Sequence, residues 1–63
     1  MNNQILNDQT TVYYEVRVKG IPVSTKFESP MLAEMEKQKL DPALREIAEV
    51  VPVTSSGTQL LLG

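Results

Sequence analysis

The chain has no cysteine and no histidine in its 63 residues. Disulfides and thiolate metal sites are therefore excluded, and the commonest ligands for zinc, copper and haem are missing. The same two absences remove Ser-His-Asp and Cys-His nucleophile sets. Glycine is scarce: Gly20, Gly57 and Gly63 stand alone, so no glycine-rich phosphate loop exists. No apolar run approaches the roughly 18 residues that a membrane-spanning helix needs. The first residues, Met1-Asn2-Asn3-Gln4, carry no positive charge and no apolar stretch follows, so a secretory leader is not expected. Six basic residues against eight acidic ones give a formal charge of −2. That balance argues against nucleic acid as the main partner, whose non-specific affinity comes from a basic surface.

Length sets the next constraint. A domain of this size buries only roughly 60% of its unfolded surface. Below about 70–80 residues a core usually needs a disulfide, a metal or a partner copy. With the first two excluded, oligomerisation is the expected help.

Residues 1–10 are polar and rich in Asn and Gln, with Ile5 and Leu6 as the large apolar residues after Met1. They read as a flexible arm. Residues 11–63 read as one α+β domain. From Thr11 the alternation is clean: Val12, Tyr14, Val16 and Val18 fall on one face, and Tyr13, Glu15, Arg17 and Lys19 on the other. Lys19-Gly20 marks a tight turn. Ile21, Val23, Thr25 and Phe27 then alternate with Pro22, Ser24, Lys26 and Glu28, closing a hairpin. Pro22 lacks an N–H and belongs at an edge or a strand start.

Ser29-Pro30 is a helix start, with a hydroxyl to cap and a proline whose φ is already helical. Leu32 and Met35 share a face with Met31 beside them. Asp41-Pro42 repeats the cap and breaks the helix, because the residue before proline is disfavoured in the α region. Residues 48–54 read as a third strand, 55–57 as a turn and 58–62 as a fourth strand. The expected order is β-β-α-β-β. A four-stranded, mainly antiparallel sheet carries one helix, broken at Asp41-Pro42, on one face. Either the first and last strands or the first and third form the central pair.

On this reading Leu32, Met35, Leu44 and Ile47 pack onto the Val12/Tyr14/Val16/Val18 face, which Ile21, Val23 and Phe27 complete. The runs Val50-Val51-Pro52-Val53 and Leu60-Leu61-Leu62 lack polar alternation and put apolar groups on both faces of the sheet. The face away from the helix is expected to carry Tyr13, Leu61, and Val50 or Pro52, among Glu15 and Arg17. Those six residues are the expected interaction surface. Glu15 and Arg17 are expected to form an exposed pair worth at most about 1 kcal/mol. The unguarded strand at 58–62 offers a second route to self-association, by edge pairing.

Catalysis is not expected. Glu34 and Glu36 diverge on a helix, Glu46 and Glu49 read as a solvated face, and no cofactor or metal set is visible. Tyr13 and Tyr14 point to opposite faces and do not form a stacking platform for single-stranded nucleic acid.

The segments Tyr14-Glu15-Val16-Arg17-Val18-Lys19-Gly20 and Ala48-Glu49-Val50-Val51-Pro52-Val53-Thr54, with Gln59-Leu60-Leu61-Leu62-Gly63, give a chain that resembles the small accessory proteins of tailed bacteriophages and prophages. The resemblance carries no catalytic residue. It implies a protein of the bacterial host cytoplasm that is either a virion-associated component, such as a tail knob or decoration, or a host-directed inhibitor. Partners would be another copy, a phage structural protein or a host protein, without a membrane. A nucleic-acid-binding regulator is the third reading.

Overall fold

The computed structural model describes residues 11–61; the expected arm at 1–10 and the end of the expected fourth strand lie outside them. Three strands and two short helices follow one another: β1 (Tyr13–Val18), β2 (Ile21–Pro22), α1 (Pro30–Lys37), α2 (Pro42–Ile47) and β3 (Ala48–Val53). The sheet is antiparallel with order β2-β1-β3, so the first and third strands form the central pair. The α+β class stands, with a smaller sheet than expected and two helices in place of one.

The hairpin turn is chemically unusual. Lys19 has φ 53° and Gly20 φ 82°, so both central residues are left-handed, as in a type I′ turn. Glycine adopts this freely, whereas lysine carries a steric penalty. Lys19→Asn should therefore raise stability by about 0.5–1 kcal/mol, read as a higher urea midpoint with an unchanged slope.

β2 is two residues long because the strand slips after Pro22. Val18 pairs with Ile21 and Arg17 with Pro22, a register that places Thr25 opposite Tyr14 if continued. Phe27 takes that place instead, with Tyr14 N–H donating to Phe27 O at 2.8 Å and Phe27 N–H to Tyr14 O at 2.7 Å. Two extra residues are thus bulged out between Pro22 and Phe27. The cause is local. Val23 N–H still donates to Val16 O at 2.9 Å, but Val16 N–H donates to the Ser24 hydroxyl at 2.9 Å instead of to a strand carbonyl. An even insertion keeps side-chain parity, so Phe27 still reaches the helix side of the sheet.

The fourth strand is reduced to a contact. Val53 pairs with Gln59 as an isolated bridge, and Leu60 N–H donates to Pro52 O at 2.9 Å. A turn at residues 54–57 leads into it. Gly57 N–H donates to Thr54 O, and Thr58 N–H to Thr54 Oγ1 at 3.1 Å. Backbone bonds on β3's outer side are spent on this turn and the short return, so 58–61 does not continue as a ladder.

Ser29 caps α1 as expected: its hydroxyl accepts from Leu32 N–H at 3.1 Å, and Pro30 follows at the first helical position. The helix is broken at Asp41-Pro42, also as expected. Which side of α1 meets the sheet is the largest departure. The buried core is Val16, Ala33 and Ala48, joined by Tyr14, Val18, Phe27, Leu40 and Val50. Ala33 is 0% exposed, while Leu32, Met35, Leu44 and Ile47 stay exposed, as do Ile21 and Val23 on the sheet. The helix enters from Phe27, which is pinned to Tyr14, and Ser29 fixes its first turn. Two residues of slack leave no freedom to rotate the more apolar side inward. The methyl of Ala33 lets the helix lie close over Val16 and Ala48, and Leu40 completes the contact.

Candidate interaction surfaces

Register decides which side chains share a face of the sheet. Tyr13 lies opposite Val53, Glu15 opposite Val51 and Arg17 opposite Glu49, all away from the helices. Tyr14 lies opposite Pro52 and Val16 opposite Val50, on the helix side. Val50 and Pro52 are therefore not on the expected outer surface. Val50 packs against the core and Pro52 is half-buried. The sequence pattern separates Val50 and Pro52 from Val51 and Val53, and antiparallel pairing with β1 turns the first two toward the helices, the reverse of the expectation.

The outer face is also less open than expected. Val53 and Val51 are buried, and Glu15 is only 2% exposed. Its carboxylate Oε2 accepts from Arg17 Nε at 2.7 Å. Arg17 Nη2 in turn donates to Gly57 O at 2.7 Å, tying the 54–57 turn to the central strand. The aliphatic end of Lys26 lies against the same turn, with Cε 3.7 Å from where a Gly57 side chain would begin. The expected exposed ion pair is thus a buried one with a structural job. Glu15 accepts the charge of Arg17, and Arg17 holds the C-terminal turn.

The six expected interaction residues are consequently scattered. Tyr13 is half-buried on the outer face, Glu15 and Arg17 are enclosed there, and Val50 and Pro52 lie across the sheet. Leu61 is 93% exposed, as expected of it. Val50 and Pro52 do not share a face with Tyr13, Glu15 and Arg17.

The helical layer presents Leu32, Met35, Leu44 and Ile47, which the pattern gives to the core, together with Met31. Met31 is 71% and Met35 55% exposed, with Leu32 beside them, and these three are neighbours at helical spacings of three and four. Leu44 and Ile47 are exposed on α2, three residues apart, and no residue of α2 is buried. Both sides of α1 carry apolar groups: Ala33 on one, with Leu40 beyond the helix end joining it, and Met31, Leu32 and Met35 on the other. Summed hydrophobicity favours the second group as core; only the shape of the junction at Phe27 and Ser29 favours the first.

Charged residues border this surface. Lys37 Nζ lies 3.8 Å from Glu34 Oε2, and Lys39 Nζ 3.5 Å from Glu36 Oε1. Glu34 Oε2 also accepts from Gln38 Nε2 at 2.7 Å, and Arg45 Nη1 donates to Gln38 O at 3.3 Å, holding α2 to the end of α1. Among the described residues no cavity and no cluster of metal-ligating side chains is present, and no helix is long and apolar enough to cross a membrane. No family model, curated protein or solved structure matches the chain.

Proposed function

We propose that this chain is a non-enzymatic interaction protein that binds another copy of itself through its helical layer. The observation that carries the proposal is the orientation of α1, which spends alanine on its own core and turns Met31 and Met35 to solvent. Flexible, polarisable methionine is well suited to contact surfaces. Burying one large apolar side chain contributes about 1.5–3 kcal/mol, so the exposed set is a substantial driving force for association. A 63-residue domain without disulfides also gains more from a partner than a larger one would.

The biological setting follows the resemblance to tailed-phage accessory proteins. We place the chain as a minor virion component, made in the bacterial cytoplasm and incorporated as a small oligomer. Self-association supports this assignment over a host-directed inhibitor, which would use the same apolar groups on a different protein and remain monomeric alone.

Sedimentation velocity on the full chain from about 1 μM to about 1 mM, the range in which small interfaces dissociate, tests the reading. The expected result is a concentration-dependent rise from the monomer to one defined larger species. A monomer throughout would sink it.

A further inference from the structure

We propose that Met31 and Met35 form a paired modification site on α1: hydrogen peroxide converts both thioethers to sulfoxides, which turns the outer side of the helix polar and ends self-association while the fold stays intact. The modification stands on the placement of the two side chains; its effect on association rests on the self-association reading.

Oxidisable sulfur is placed with a bias in this molecule. The chain has three methionines, no cysteine and no tryptophan. Met31 is 71% and Met35 55% exposed, and no buried residue among the described ones carries sulfur. Met1 lies outside the described residues. Met31 and Met35 are four residues apart on one helix, so their side chains are neighbours. The core beneath α1, Val16, Ala33 and Ala48, offers a peroxide nothing to attack. Oxidant chemistry is thereby directed to the surface assigned to binding and away from the packing that holds the fold.

The reaction needs a peroxide and nothing else. A sulfur lone pair attacks one peroxide oxygen, and the S–O bond forms as the O–O bond breaks. The leaving hydroxide takes the proton of the transferred oxygen and departs as water. Sulfur gives up two electrons and the peroxide takes them. The product is a polar sulfoxide in place of an apolar thioether.

Its oxygen is an acceptor that an apolar contact leaves without a donor. The donors next in sequence are committed elsewhere. Lys37 Nζ lies 3.8 Å from Glu34 Oε2, Lys39 Nζ 3.5 Å from Glu36 Oε1, and Gln38 Nε2 donates to Glu34 Oε2. In the monomer the same oxygens face water, where they cost little. Contact between copies shields the thioethers in turn, so the peroxide acts on the free protein and the assembled form resists it. Sulfoxide reductases, one for each epimer, reverse the change.

Treatment of the full-length protein with hydrogen peroxide at about 1 μM, where a weak interface is dissociated, tests the site, with a blocked methionine in the same solution as a clock. Trypsin cuts after Lys26 and Lys37, so residues 27–37 carry both thioethers away from Met1. Mass spectrometry of that peptide should show one added oxygen on each methionine, at rates within about threefold of the clock. The oxidised protein should melt within about 4 °C of the parent, as changes at exposed positions do in a domain of this size. Sedimentation equilibrium should show association weakened on the order of a hundredfold, and the reductases should restore it. The double variant M31L/M35L, compared with itself before and after peroxide, should change by no more than about twofold, since leucine has no sulfur.

Oxidation at either methionine more than about tenfold slower than the clock, or a melting point lowered beyond that range, would mean that the thioethers are enclosed in the fold, and the modification site falls. If the oxidised parent associates as tightly as before, or M31L/M35L weakens equally, control through these two methionines is wrong while self-association stands. If the untreated parent is monomeric at every concentration, the self-association reading fails and the switch fails with it.

Discussion

Arg17→Ala should cost about 3–5 kcal/mol, one of the two largest losses from any single substitution considered for this chain. The reason is the partner it leaves behind. Glu15 is 2% exposed, and its Oε2 accepts from Arg17 Nε at 2.7 Å. Removing the guanidinium strands a carboxylate where water cannot reach it, and that is the expensive half of breaking a buried pair. The substitution also frees Gly57 O, so the 54–57 turn loses its tie to β1. A domain of this size has a total stability of only about 3–9 kcal/mol, so the variant should be largely unfolded at 37 °C. Far-ultraviolet circular dichroism during a thermal melt measures this. The double variant Glu15→Leu/Arg17→Met should recover most of the loss, because apolar replacements of similar bulk need no counter-charge. If R17A melted within a degree or two of the parent, Glu15 would have access to solvent and the clasp would carry no weight.

The second large effect is expected at the closest point between helix and sheet. Ala33 is completely buried and packs with Val16 and Ala48. Ala33→Leu adds three carbons where the interior is already dense, and the helix must lift or rotate to admit them. Overpacking of this kind typically costs about 1–3 kcal/mol. The upper end applies here, since the tie from Phe27 through Ser29 prevents α1 from adjusting freely. Met35→Ala, two residues on and facing solvent, should change monomer stability by no more than about 0.5 kcal/mol. Urea denaturation at a concentration where each variant is monomeric separates the two. Equal losses at positions 33 and 35 would mean that α1 sits with the opposite face inward.

How much of this architecture could be read in the residues differs from element to element. Strict alternation from Val12 to Lys19 gave β1 and its two faces, and Ser29-Pro30 and Asp41-Pro42 gave both helix starts. These signals are local: each depends on a cap, a turn or a two-residue period. What escaped depends on contacts far apart in sequence. Glu15 looks like a surface residue until β1 is known to be the middle strand with the 54–57 turn drawn over it. Val50 and Val51 are equivalent as a pair until β1 fixes which one faces Val16. Ser24 gave no sign that its hydroxyl would replace a strand carbonyl and shift Phe27 into the place of Thr25.

The exposed apolar surface is hard to read for a related reason. The runs at 50–53 and 60–62 lack polar alternation and point to the outer sheet face, on the assumption that the helices bury their most hydrophobic side. In α1 that assumption fails, since a two-turn helix entered through a short, fixed connection has its rotation set by geometry before side chains can choose. Composition therefore points to Leu32 and Met35 as core, with Met31 beside them, and the smaller Ala33 occupies it. Leu61 is exposed as expected, while Val50 and Pro52 lie across the sheet from Tyr13, Glu15 and Arg17.

The joint between α2 and β3 has no spare residue: Ile47 closes the helix and Ala48 opens the strand. Adding or deleting one amino acid there would invert β3, carrying Val51 and Val53 under the helices and sending Ala48 and Val50 to the opposite side. Related chains should therefore vary in length around residues 54–58 and keep this junction gapless, so insertions and deletions in an alignment would mark where the framework is rigid even where residue identity has drifted.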